Sequence, residues 1–66
     1  MTDNYRFSKV LVAANAILGD RDMAREWLVT ENRALHGKRP VDSLDTAIGF
    51  EDVMDVLHRI EYGVYG

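Results

Sequence analysis

The sequence predicts an all-α fold: a small compact helical domain with three main helices and one or two short helical turns. Apolar residues recur at helical spacing in three separate segments. No segment shows the strict alternation of a half-buried strand. Residues that start or stop helices stand at the segment borders: Gly19, Asp20, Asn32, Gly37, Pro40, Thr46 and Gly63.

The first helix is predicted from near Asp3 or Asn4 to Leu18, with Thr2, Asp3 and Asn4 all able to cap it. Phe7, Val10, Leu11, Ala14, Ile17 and Leu18 form its apolar stripe, and Gly19 stops it. Asp20 caps the second helix, whose stripe is Met23, Ala24, Trp27 and Leu28. The link between the two is so short that the chain must turn sharply. Residues 31–40 are irregular. Asn32 can cap a single turn holding Ala34 and Leu35, and Gly37 can end it at positive φ. Pro40 pushes Arg39 out of the helical region and suits the first position of a short helix, Pro40 to Leu44. Thr46 caps the last helix. Its stripe is Phe50, Val53, Leu57, Ile60 and Val64, widened by Ile48, Met54 and Val56, and Gly63 stops it. Glu51, Asp52 and Asp55 in the early turns and Arg59 near the end both suit the helix macrodipole.

One domain is expected over the sixty-six residues, 1–66, and no N-terminal helix-turn-helix domain is expected within them. There is no cysteine, so no disulfide staples the fold. Small scaffolds without a staple often lean on oligomerisation or a partner. The apolar share of 47% is ordinary for a folded chain. No apolar run approaches the roughly 20 residues of a membrane span, and no signal peptide is legible, so a cytoplasmic domain is expected. Charge is uneven. Residues 1–39 carry seven bases against five acids, whereas residues 40–66 carry Arg59 alone against six acids. The acidic half would repel a phosphate backbone and favour a partner with a basic rim, or it is simply a solvated helix face.

Catalytic and metal patterns do not emerge. His36 and His58 are the only imidazoles and have no thiolate partners, so no metal site is expected. Ser8 and Ser43 sit in no nucleophile elbow. The pairs Asp42/Asp45 and Asp52/Asp55 read as solvated surface rather than an acid–base team. No glycine motif for a phosphate is present, and a chain this short can hardly enclose a pocket of the usual size. The expectation is no enzyme and no cofactor. Lys38 and Arg39 are the only adjacent bases, and no recognition helix is visible, so direct DNA binding by this chain is not expected.

Some residues have a structural reading. Trp27 belongs in the core, with its indole N–H on a carbonyl, or else it is an exposed anchor. Leu35 plugs the loop onto the core. Gly37, Pro40, Thr46 and Gly49 shape the backbone. Tyr62, Val64 and Tyr65 gather at the end of the last helix beside Arg59. The tail either folds back over the helices or is offered to a partner.

The run LGDRDMAREWL, followed by N-x-A-L-x-G-x-x-P-x-D-x-L-x-T-x-x-G-x-x-x-V-x-x-x-L-x-x-I-E-x-G-V-Y, resembles the C-terminal toxin-binding domain of the MbcA/ParS/Xre family of bacterial antitoxins. The likeness runs ungapped from about Ala14 to Tyr65. It is carried by Gly19, Asp20, Trp27, Leu28, Asn32, Ala34, Leu35, Gly37, Pro40, Asp42, Leu44, Thr46, Gly49, Val53, Leu57, Ile60 and Gly63. Glu31 stands where the family often has Pro, and His36 where it often has the first Gly of a pair. The resemblance implies a protein that neutralises a cognate RES-domain, NAD-consuming toxin by docking at its active-site cleft. It would place Arg59, Tyr62, Gly63, Val64 and Tyr65 at that interface. Ala13, Ala14 and Ala16 on the first helix permit close helix approach in a homodimer. The alternative function is a homodimerisation or regulatory module of a transcriptional regulator with no toxin partner.

Overall fold

Two residues, Gly19 and Asp20, separate the first two helices and reverse the chain between them. In the computed structural model, residues 2–63 are described, with side chains from Tyr5 onward. The helices are α1 (Thr2–Leu18), α2 (Arg21–Val29) and α3 (Ala47–Tyr62). Two 3-10 turns, Arg33–Leu35 and Pro40–Ser43, lie between α2 and α3. Among the described residues there is no strand, only an isolated antiparallel bridge between Asn32 and Lys38.

The capping residues act locally. The Asp20 carboxylate accepts the Asp22 N–H at 3.2 Å, opening α2. The Thr46 hydroxyl accepts the Gly49 N–H at 3.0 Å, opening α3. At the other end of α3, the Gly63 N–H reaches the Arg59 and Ile60 carbonyls, closing the last turn.

The core draws on every element. Val10 and Ala14 come from α1, Ala24 and Leu28 from α2, and Val53, Val56 and Leu57 from α3. Leu35 and Leu44 enter from the irregular stretch. No polar or charged residue among those described is buried. Among the described residues, packing is therefore the main buried interaction that holds the helices together.

Three stripe residues do not reach this core. Phe7 is 37% exposed, Met23 54% and Ile48 74%. At 1.5 Å per residue, the 17-residue α1 overhangs the nine-residue α2, which ends before it can cover Phe7. Met23 lies outside the line formed by Ala24 and Leu28. Ile48 lies about half a turn round α3 from Leu57, at roughly 100° per residue, and so points away from the core.

One long-range polar contact crosses the fold. Arg6 Nη1 on α1 donates to the Leu44 carbonyl at 3.1 Å, where the second 3-10 turn ends. It satisfies a carbonyl that the turn cannot use.

Gly49 fixes how closely α3 meets that turn. A Cβ built there would run into the Ser43 carbonyl group and would also meet the Thr46 hydroxyl oxygen. The obstacle is backbone, which cannot rotate out of the way. Gly49→Ala is expected to destabilise the domain by about 1–3 kcal/mol, as overpacked sites do. Urea denaturation should show a lower midpoint with an unchanged slope. An unchanged midpoint would mean that the turn yields freely.

Candidate functional site

Asn32 organises the segment that joins α2 to α3. Its side-chain oxygen accepts the Ala34 N–H at 2.9 Å. Its backbone carbonyl accepts the Leu35 and Gly37 N–H groups, at 3.0 and 2.9 Å. Its own N–H donates to the Lys38 carbonyl at 3.0 Å. The result is a closed ring from which Leu35 projects inward, 4% exposed. Closing it requires two consecutive left-handed residues, His36 at φ 63° and Gly37 at φ 82°. For a residue with a Cβ, such as His36, this conformation costs about 1–2 kcal/mol. The sequence reading ended the turn at Gly37. The structure starts the left-handed stretch one residue earlier, at His36.

Trp27 is not a core residue. It is half-buried and packs on the core from outside. Its indole N–H makes no hydrogen bond among the described residues. No buried side-chain donor is left without a partner, so the expected carbonyl acceptor is unnecessary at the rim, where water reaches. The indole borders a hollow of about 380 Å³ lined by Leu18, Asn32, Ala34, Val56, Arg59 and Ile60. A second hollow of about 310 Å³, lined by Leu18, Met23, Glu26 and Thr30, lies against its other side.

The end of α3 adjoins the first hollow. Arg59 Nη2 pairs with Asp55 Oδ2 at 3.0 Å, one turn earlier, and both side chains are 59% exposed. A pair so open to water is worth little to stability and is easily exchanged for another partner. Tyr62 is 74% exposed. Gly63, at φ 67°, ends the helix. Val64 and Tyr65 lie outside the described residues. The structure thus brings Arg59, Tyr62 and Gly63 together on one exposed helix end. Leu35, Pro40, Thr46 and Gly49 lie in the backbone frame that holds α3 in place, with Leu35 and Pro40 buried. The sequence reading missed Leu18, Ala34 and Val56 as surface-forming residues. A stripe shows which face is apolar but not where a neighbouring helix stops covering it.

Asp45, Glu51, Asp52 and Asp55 are exposed, so the first turns of α3 present an acidic face. In the loop before it, Arg39 clamps Asp42 through two bonds, 2.7 Å from Nε and 3.0 Å from Nη2. Chiefly through this hydrogen bonding, the Asp42 carboxyl is held below the usual aspartate range and the Arg39 guanidinium is raised. Among the described residues, no three His, Asp or Glu side chains gather closely enough to hold a metal ion. No helix among them is long and apolar enough to cross a membrane.

An acidic helix face, apolar hollows at the rim and an exposed Arg–Tyr helix end define a small all-α protein-binding domain. Its residues 13–63 match the family described as the antitoxin Xre/MbcA/ParS C-terminal toxin-binding domain. The chain belongs to that family. It is 38% identical over 60 residues to the antitoxin Xre of Photorhabdus laumondii subsp. laumondii, across 89% of this chain and 40% of that protein. It is 34% identical over 61 residues to the antitoxin Xre of Yersinia enterocolitica serotype O:8, across 91% of this chain and 41% of that protein. The chain therefore spans about two fifths of the length of the curated relatives it matches.

Two outcomes are expected for the loop. His36→Gly removes the left-handed penalty but adds unfolded-state entropy. The net gain should be about 0.5–1 kcal/mol, seen as a Tm a few degrees higher. A lower Tm would mean that the His36 side chain makes a compensating contact. For Asp42 the sign follows from its depressed folded-state pKa. Its contribution is present above the ordinary aspartate value of about 3.9 and is lost as pH falls through the lower folded value. NMR titration of the Asp42 carboxyl carbon should give a midpoint below that of free aspartate, and Arg39→Gln should move it back up.

Proposed function

We propose that this domain neutralises a RES-domain toxin that consumes NAD by docking at the toxin's active-site cleft and keeping substrate out. The observation that carries the reading is the exposed end of α3. There a 74% exposed tyrosine stands one turn beyond an arginine held only by a solvent-exposed ion pair. Burying Tyr62 on a partner gains apolar area without ordering a flexible loop, because the helix already holds it. Arg59 can exchange Asp55 for a carboxylate or carbonyl of the toxin. Val64 and Tyr65, outside the described residues, follow Gly63 in sequence and are proposed to join the same interface. The acidic face of α3 matches a basic rim on the toxin and would speed encounter. On this reading the domain acts by occlusion in the cytoplasm and needs no catalytic group or cofactor.

We also infer a homodimer through the outer face of α1. Ala14 is consumed by the core and cannot contribute. Tyr5 and Val12, 62% and 70% exposed, share that outer face with Ala16. DNA contact by this chain is not part of the proposal.

Co-expression with a RES-domain toxin tests the main reading, with growth as the readout. The wild-type chain should rescue growth. Replacing Arg59 and Tyr62 together with Ala should abolish rescue and weaken binding by roughly 100-fold or more, as loss of two hot spots would. Circular dichroism and Tm should stay near wild type, because both side chains are exposed. Full rescue by the double variant would rule out the helix end as the wedge. A stable complex would show binding that weakens as salt is raised.

A further inference from the structure

Besides the hollow lined by Met23, Glu26 and Thr30, three exposed apolar features stand out once the end of α3 has been assigned. The first is the groove of about 290 Å³ by Phe7, Leu11 and Val29. The second is the cleft by Ile48 at the start of α3, where His36 and Lys38 stand opposite Asp45 and Asp52. The third is the hollow beside Trp27.

They differ in position and chemistry. The segment that matches the toxin-binding family is 13–63, so Phe7 and Leu11 lie outside it. The Ile48 cleft carries charges of both signs, which favour neither an anion nor an apolar group. The Trp27 hollow lies wholly inside the matched segment. Arg59 and Ile60 line it, so it is continuous with the helix end at Tyr62 and Gly63. Arg59 is its one charged residue, and Asp55 already neutralises it. Leu18, Ala34, Val56 and Ile60 supply the apolar part of the lining beside the indole, and Asn32 is its one uncharged polar residue.

We propose that the hollow beside Trp27 is the second half of the toxin interface and receives an apolar side chain projecting from the toxin. The toxin's backbone carbonyl next to that side chain takes the indole N–H. This rests on the reading of the chain as a toxin-docking domain and enlarges its surface from a helix tip to a tip and a socket. An apolar knob fits because four aliphatic residues and the indole make up most of the lining, while the Asn32 side-chain oxygen and Arg59 already have partners within the chain. Tryptophan suits such a socket, since it combines a large rigid face with one donor. Ala34 lines the socket from a turn whose geometry the Asn32 side chain holds.

Trp27 is the only tryptophan in the chain, which makes the test direct. The whole chain is labelled with 5-fluorotryptophan and titrated with the purified full-length RES-domain toxin of the growth test. The single 19F resonance should shift and lose its sensitivity to the solvent exchange of H₂O for D₂O. Ala34→Gln, which fills the socket from an exposed position without touching the core, should raise Kd at least tenfold. Arg21→Gln, exposed on α2 and outside both hollows beside Trp27, should leave Kd unchanged. If wild type binds but the resonance stays put and Ala34→Gln binds equally well, the socket is wrong and the helix-end reading stands. If wild type forms no complex, the toxin reading itself falls. If the resonance moves with the chain's own concentration in the absence of toxin, the hollow is a self-association face and the proposal is overturned.

Discussion

Asn32 is the residue on which the arrangement depends. One side chain and one peptide unit close the loop through four hydrogen bonds, to Ala34, Leu35, Gly37 and Lys38. That ring delivers Leu35 to the core and sets the path toward Pro40 and α3. With no buried polar residue among those described, nothing else in the interior dictates where the loop must sit. Hydrophobic packing is non-directional and accepts many loop paths. The hydrogen-bonded ring selects one of them. A domain of this size has little stability in reserve, of order 0.05–0.15 kcal/mol per residue, so losing that selection would be felt throughout the fold.

The same frame explains why binding chemistry collects at one end. α3 is seated by three local constraints. Gly49 lets it approach the Ser43 carbonyl, Thr46 caps it, and Val53, Val56 and Leu57 bury one face. Its opposite face and its last turns are then left to solvent. The acids lie toward its start and Arg59 and Tyr62 toward its end, so a single helix presents two different surfaces. Trp27 sits where α2, the Asn32 ring and α3 converge. It therefore borders a hollow instead of filling one.

Much of this was legible in the sequence where the cause is local. Asp20, Asn32 and Thr46 cap the turns and helices that follow them, because a cap acts within three residues. The order of elements and the all-α class follow from apolar period. Features set by tertiary geometry were not legible. Phe7 fits its stripe perfectly well and is still partly exposed, because α2 is too short to cover it. Trp27 fits its stripe and still lies at the rim, because the core line of α2 passes through Ala24 and Leu28. The bond from Arg6 to the Leu44 carbonyl joins residues that no local pattern connects. The binding surface was harder still. Periodicity identifies what is apolar, but a hollow is defined by where neighbouring elements end.

His36 has a broader meaning. The Asn32 ring imposes a left-handed backbone on a residue that disfavours it, so local geometry at this position is dictated by its surroundings and not by its side chain. Position 36 is exposed, and the left-handed penalty there is smallest for Asn and Asp and largest for β-branched residues. The loop can thus carry different side chains at one outward-facing point while its shape stays fixed. Surface chemistry and backbone form are separable at that point, and a lineage of such domains could vary the one without rebuilding the other.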